Sequence, residues 1–336
     1  MTSELERRIH ESLTKKGITL PWSDLFLLRD RSGSSFLQTS FSAQKVNFSD
    51  LDASLTHWIW EHLIPKLNEQ FEPLIREDKH DARFTMDGLS FRASGRDTIE
   101  GRVYVLRRFP VAPESLNHIG ITPRLVQAMF GKDAPKSGLV LFVGRTGSGK
   151  TTVASAFTKE WITRFGGVSW SVENPIEIDI HGHQGAGHCF QYEVSSDDDF
   201  GHAIHDTMRN LPRLIYVGEI RNGIHTAYSP GARAAVHAAT TGHLVVSTMH
   251  AGDIQIAIAS LIGMVGTDDA AMRISMALRA VFALELTLGD DQKPKLNIEP
   301  LIIVPDSRAD NIRSFIREQN LHQLSSVIVQ QRKLYE

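Results

Sequence analysis

The chain has 336 residues, 41% of them hydrophobic and 22% charged, with a formal net charge of -3. That length accommodates two domains in a globular protein, and the slight acidity argues against nucleic acid or an anionic membrane as the main partner. The single cysteine, Cys189, excludes an internal disulfide framework, and no apolar run reaches the roughly 20 residues of a membrane span or forms a signal-peptide core, so a cytoplasmic protein is expected.

Ser3 and Glu6 form a capping box around Leu5, Ile9 and Leu13, and Gly17 follows Lys15 and Lys16 as a stop, which predicts a short amphipathic helix. Residues 21–28 (PWSDLFLL) and 35–39 read as strands separated by the turn RDRSGS. A second helix is expected from Ser49, with Leu51, Leu55, Trp58, Ile59 and Leu63 on one side and Pro65 ending or kinking it. Trp58 and Trp60 read as packing residues. Residues 82–109 are strand-like and carry Arg83, Arg92, Arg96, Arg102, Arg107 and Arg108. These either face solvent on an antiparallel sheet or, for one or two of them, reach a neighbouring subunit's nucleotide as arginine fingers. The proline-bearing stretch 110–116 (PVAPESL) reads as an extended connector. It predicts an α+β domain over 1–109, a linker over 110–118, and over 119–336 a domain in which strand and helix alternate around a parallel sheet.

Residues 139–143 (LVLFV) are an unbroken apolar run, the pattern of a strand buried on both faces. Gly144, Arg145, Thr146, Gly147, Ser148, Gly149, Lys150 and Thr151 follow as G-x-x-x-x-G-K-T, and Thr152 continues into a helical stretch. Strand, glycine loop and helix in that order are the context of a phosphate-binding loop, or Walker A motif. The glycines let successive N–H groups curl around phosphate, and the helix adds its positive end. Lys150 sets an ammonium against the β and γ phosphates, and the Thr151 hydroxyl is placed to ligate Mg²⁺. ATP and Mg²⁺ are the expected cofactors.

A second apolar strand, 167–172, ends in Glu173-Asn174-Pro175-Ile176-Glu177. Carboxylates at the carboxyl end of a strand in an open α/β sheet face the ligand crevice, so Glu173 or Glu177 is placed to orient an attacking water; the alternative is an acidic surface turn. The run 214–221 (LIYVGEIR) is apolar until Glu219, as a Walker B position beside Mg²⁺ requires. A fourth strand, 244–250, follows His243 and ends in His250, which is either a γ-phosphate sensor or an ordinary core or surface histidine. His181, His183, His188 and Cys189 (HGHQGAGHC) lack the repeated-pair spacing of a structural zinc site and read as a surface loop. Residues 311–331 form an amphipathic helical stretch expected to pack on its own domain.

Taken together, GRTGSGKTT, SVENPIEID, LIYVGEIR and TTGHLVVSTMHAGD resemble the Walker A motif, aspartate box, glutamate-bearing Walker B and histidine box of the type II/IV secretion ATPase superfamily. FQYEV at 190–194, NIRSFIRE at 311–318 and WSDLFL near the start are similar to the PilT retraction branch and its type IVB secretion and conjugation relatives, the DotB and TraJ group. The resemblance implies a RecA-like P-loop domain with a central, mostly parallel sheet, preceded by a smaller α+β domain of PAS-like type. It implies a homo-hexameric ring ATPase held at the inner membrane by secretion or pilus platform proteins. By the same resemblance, Lys150 and Thr151 bind phosphate and Mg²⁺, Glu177 is the catalytic base, Glu219 is Walker B, and His243 and His250 belong to the histidine box. Arg209 matches an arginine before Walker B, and Arg92 and Arg107 match N-domain arginines.

The chain departs from that pattern at Asn174, where aspartate is usual, at Tyr192 and His205, where arginine is usual, at Leu211 and Arg213, which replace acids, and at Phe26, which replaces a histidine. These departures favour a type IVB secretion or conjugative transfer motor over a pilus retraction motor. A nucleic-acid translocating motor and a non-hydrolysing assembly factor are further alternatives.

Overall fold

The computed structural model describes residues 3–18, 22–28, 35–39, 45–87, 89–109, 112–132, 134–222, 228–288, 294–304 and 307–336. The turn RDRSGS, Pro21 and the first two connector residues, Pro110 and Val111, lie outside them. Contacts divide the chain into two compact units, Met1–Pro110 and Val111–Glu336.

In the first unit, α1 (Glu4–Lys15) starts on Ser3, whose hydroxyl accepts from the Glu6 N–H, and buries Leu5, Ile9 and Leu13. Strands β1 (Trp22–Leu28), β2 (Phe36–Thr39) and β3 (Lys45–Asn47) follow. Helix α2 (Ala53–Trp58) begins later than Ser49, because Asp52 supplies the cap, accepting from Ser54 N–H. Pro65 does not end the helix. The proline has no N–H for the Glu61 carbonyl, and the chain absorbs that break in a π-helical turn, Ile59–Leu63, where the Ile64 N–H reaches back to Ile59. Helix α3 (Ile64–Arg76) then continues, and Trp58 and Trp60 pack half-buried on the core of this unit. Strands β4 (Asp81–Met86), β5 (Leu89–Thr98) and β6 (Gly101–Arg108) complete an antiparallel sheet of order β3-β2-β1-β6-β5-β4.

In the second unit, residues 112–118 are part of the packed body: Leu116 is buried, and its N–H donates to Glu160 Oε2 over 2.9 Å. Then come α4 (Pro123–Phe130), β7 (Gly138–Gly144), α5 (Lys150–Phe165), β8 (Gly167–Glu173), β9 (Gly182–Gln184), β10 (Gly187–Glu193), α6 (Phe200–Met208) and β11 (Leu214–Val217). Next are α7 (Pro230–Thr240), β12 (Leu244–His250), α8 (Ile254–Val265), α9 (Ala270–Ala277), β13 (Leu278–Leu288), β14 (Pro294–Ile302), α10 (Ser307–Arg317) and α11 (Leu324–Tyr335). The sheet order is β14-β13-β7-β12-β11-β8-β10-β9; the six inner strands run parallel, and β14 and β9 pair antiparallel at the edges.

Side chains alternate across a strand, so β7 feeds two cores. Leu139, Leu141 and Val143 pack with α7, α8 and α9, while Val140 and Phe142 pack with α4 and α5. Helices therefore cover both faces of a mostly parallel sheet, as the apolar central strands predict. Helices α10 and α11 bury Ile312, Ile316, Leu324 and Ile328 in their own unit. Among the described residues, no helix is long and apolar enough to cross a membrane.

The HGHQGAGHC segment departs from the sequence reading. It is not a loop but an edge hairpin, with His183 opposite His188, and it carries Cys189 into the core. Among the described residues no His, Cys, Asp or Glu group could hold a metal ion alone.

Candidate active site

Strands β8, β11, β12 and β7 are four successive strands of the sheet, so the segments following their carboxyl ends converge. The register sets His250 opposite Gly144, beside the glycine loop. A cleft of about 190 Å³ is lined from all four: by Thr146, Gly147, Lys150 and Thr151, by Glu173, Asn174 and Glu177, by Tyr216 and Glu219, and by Thr248 and His250.

The loop needs its glycines for two reasons. Gly149, the residue ahead of α5, sits at φ +87°, a left-handed conformation that L side chains rarely adopt. A Cβ on Gly144 would stand 2.5 Å from the Leu284 carbonyl oxygen, so β13 passes too close for any other residue. Lys150 is buried, and its Nζ donates to the Arg145 carbonyl over 2.9 Å and lies 3.4 Å from His250 Nδ1. Burial lowers the Lys150 pKa, and the nearby Glu219 and Glu177 charges oppose that shift.

Glu219 is fixed from two sides. Arg221 Nε donates to its Oε2 over 2.7 Å, and His250 Nε2 lies 3.0 Å from its Oε1. The His250 contact is at ion-pair distance but lacks hydrogen-bond geometry, so the buried Oε1 has no hydrogen-bond partner among the described residues. With the Thr151 hydroxyl in the same cleft, this oxygen fits Mg²⁺, which takes one or two protein oxygens together with phosphate and water rather than a cage of side chains.

Glu173 and Glu177 occupy different environments. Glu177 is exposed at the cleft, where water reaches it. Glu173 is buried and accepts from Ser171 Oγ (2.6 Å) and Gln191 Nε2 (2.8 Å). Burial pushes its carboxyl up to about 7, while those two hydrogen bonds pull the other way.

Other expected residues lie elsewhere. His243 precedes β12, and its carbonyl accepts from the Gly138 N–H, at the entry of β7. It is thus at the far end of the strand from His250, roughly 20 Å away at about 3.3 Å per residue. Arg209 is exposed at the C-terminal cap of α6 and does not line the cleft. Thr152 lies on α5 outside the cleft, while Ser148 is buried in the loop. Arg92 and Arg107 belong to the first unit, directly opposite each other on β5 and β6, with Arg83 opposite Arg92 on β4. Arg107 Nε donates to Asp24 Oδ1 over 2.8 Å.

Sequence reasoning missed Gln191 and Glu193. They alternate along β10 and both reach the 173–180 segment: Glu193 Oε2 accepts from Ile176 N–H, and Gln191 bridges Glu173, Ile178 and Ile180. The signal was the polar period of two in FQYEV. Tyr216 and Thr248 also line the cleft and were read only as strand residues.

Comparison with known proteins matches residues 76–319 to the family described as "Type II/IV secretion system protein". The chain belongs to this family. Within the secretion family, type IV pilus ATPase PilU of Pseudomonas aeruginosa is 31% identical over 230 residues, covering 67% of this chain and 56% of PilU. Type II secretion system protein E of Klebsiella pneumoniae is 35% identical over 143 residues, covering 43% of this chain and 27% of that protein. The chain thus spans about half, or less, of the length of these relatives. Among solved structures, the pilus retraction motor PilT with bound ADP superposes with a TM-score of 0.72 at 23% identity, covering 98% of this chain and 90% of PilT. The Legionella pneumophila ATPase DotB gives 0.64 at 21%, covering 93% and 86%. The fold is the α/β, RecA-like fold of these secretion proteins, with a small N-terminal domain.

Proposed function

We propose that this protein is a ring-forming ATPase, six copies to a ring, that couples ATP hydrolysis to a type IVB secretion or conjugative transfer system. One observation carries the ATPase reading: Lys150, Thr151, Glu177, Glu219 and His250 meet in one cleft at the carboxyl end of the sheet. The phosphate loop holds the β and γ phosphates, and Lys150 meets their charge. Glu177 takes the proton of the attacking water as its oxygen bonds to the γ-phosphorus and the bond to the β-phosphate oxygen breaks. Thr151 and Glu219 are the residues that would hold Mg²⁺ and its waters, and the ion adds positive charge where negative charge develops. His250, between Lys150 and Glu219, is placed to register the loss of the γ-phosphate. Arg92 and Arg107 of the first unit, and Arg209, which does not line the cleft, are candidates to act on a neighbouring subunit's nucleotide. The ring works in the cytoplasm, docked on inner-membrane platform proteins.

The departures at Asn174, Tyr192 and His205 support a transfer motor. The second reading is a pilus retraction motor, and the PilU and PilT likenesses favour it. Lys150→Ala tests both levels. The purified variant is expected to lose ATP turnover; normal turnover overturns the ATPase reading. Expressed in the native host, it is expected to suppress conjugal transfer dominantly and leave surface motility intact. Loss of motility alone favours the retraction motor.

A further inference from the structure

A larger cavity, of about 520 Å³, lies where β7 begins, bordered by Ser137, Val140 and, on β13, Ala280 and Phe282. The glycine loop is at the other end of the seven-residue β7, and no residue lines both this cavity and the cleft described above. The volume is that of a small-molecule site.

Its floor is apolar: Met129, Val140, Phe157 and Phe282 are each at most 3% exposed. Its walls carry five cationic side chains, Arg124, Lys132, Lys136, Arg279 and Arg313, and among the described residues no aspartate or glutamate lines it. Arg124, Lys132 and Lys136 are exposed at the rim, whereas Arg279 and Arg313 are half-buried within.

The two inner guanidiniums converge. Arg279 Nη1 donates to the carbonyls of Met276 (2.8 Å), Leu278 (3.2 Å) and Ala277 (3.3 Å). Arg313 Nη1 donates to those of Ser275 (2.6 Å) and Met276 (3.2 Å). Both therefore meet on Met276 at the end of α9. A helix C-terminus presents only about half a negative charge, which does not offset two guanidiniums. Neither arginine forms an ion pair among the described residues, and the Nε and Nη2 donors of both are unused there. Burial, and then the adjacent Arg313 charge, lower the Arg279 pKa, as befits a cation without a counterion. Cations withdrawn from water are ordinarily paired, and these two, half-buried, have no anion in the lining among the described residues.

We propose that this cavity binds a phosphomonoester carried on an apolar body. The guanidinium forks match the geometry of a phosphate better than that of a point anion, the rim lysines complement a dianion, and the aromatic floor takes the apolar body.

The test titrates octyl phosphate, below its micelle concentration, into the 336-residue protein saturated with ADP, so that the phosphate loop is filled. Calorimetry is expected to show saturable binding of one ligand per chain. Arg313→Gln is expected to weaken it by about tenfold or more, the worth of a charge-assisted contact. Because Arg313 also caps α9, a Lys132→Gln, Lys136→Gln double variant, which removes no side-chain bond among the described residues, gives an independent loss of affinity. Octyl glucoside, with the body but no charge, and inorganic phosphate, with the charge but no body, are both expected to bind more weakly. Vesicles containing phosphatidic acid form the other arm. Binding to them alone assigns the ligand to a lipid headgroup, binding to dispersed octyl phosphate alone assigns it to a soluble amphiphile, and either outcome supports the site. No binding in either arm, or unchanged affinity in both variants, overturns it.

Discussion

Gln191 Nε2 donates to Glu173 Oε1 over 2.8 Å and to the Ile178 carbonyl over 2.9 Å, while Gln191 Oε1 accepts from the Ile180 N–H over 2.9 Å. One amide thus ties the buried carboxyl at the end of β8, four residues before Glu177, to the backbone just after Glu177. Strand β10 makes this possible because it runs parallel to β8 with Gln191 opposite Ser171. The position of Glu177 at the cleft is therefore set by a strand outside the four that carry the motifs.

Gln191→Leu is expected to leave Glu173, the Ile178 carbonyl and the Ile180 N–H short of partners, at a cost of about 1–3 kcal/mol for each group left buried and unsatisfied. The phosphate loop is untouched, so KM for ATP should hold while kcat falls by about tenfold or more, the signature of a misplaced base. Steady-state kinetics and urea unfolding measure both; a variant with normal kcat refutes the positioning role.

Glu173 makes stability depend on pH with a definite sign. Its carboxyl stands at about 7 in the folded chain against an ordinary 4.5, because of burial. Between those values the folded state holds a proton that the unfolded state has released. The contribution is therefore fully present below about 4.5, falls as pH rises, and is gone above about 7, a change of about 3 kcal/mol. Glu173→Gln carries no titrating proton there. Urea unfolding of both proteins at about pH 5 and about pH 8 should show the wild type losing more stability than the variant. Equal losses would mean that Glu173 is ionised throughout.

The two histidines of the TTGHLVVSTMH segment should behave differently. His250 contacts both Lys150 and Glu219, whereas His243 lies at the other end of β12. His250→Ala is expected to lower kcat by about tenfold to a hundredfold, and His243→Ala to stay within about twofold. The opposite ranking would place the chemistry at the wrong end of the strand.

What the sequence made legible was local. β7 declared itself because a strand buried on both faces has no polar positions, and the glycines that follow it have a fixed spacing. Glu219 and His250 were legible for the same reason, as polar residues just past or at the end of buried runs. β14 was hidden by Pro294 and Pro300, which read against a strand although it is an edge strand, where proline is tolerated. The β9–β10 hairpin was hidden because its turn, Gly185-Ala186, has a single glycine at the first position rather than the stronger Asn-Gly or Asp-Gly signal, and because its histidines suggest a polar loop. Gln191 was out of reach because its role depends on the register between β10 and β8, which no short stretch encodes. The distance from His243 to His250 was available from strand geometry alone, but their shared motif drew them together.

Cys189 offers a probe of that hairpin. It is 1% exposed, and burial pushes its thiol up to about 12. Only the thiolate reacts, so near pH 8 the folded chain presents about one thiolate in ten thousand thiols, against roughly one in four to one in ten for an unfolded thiol. Alkylation by iodoacetamide should then be at least about a thousandfold slower in the native protein than in urea, before steric exclusion is counted. Edge strands open locally more readily than central ones, so the residual rate measures opening of β9 and β10 rather than global unfolding. Gln191→Leu, which loosens the segment beside β10, should raise that rate more than it changes the urea midpoint. Rapid native labelling of the wild type would show that Cys189 does not sit in the sheet, and would remove the register on which the Gln191–Glu173 bond depends.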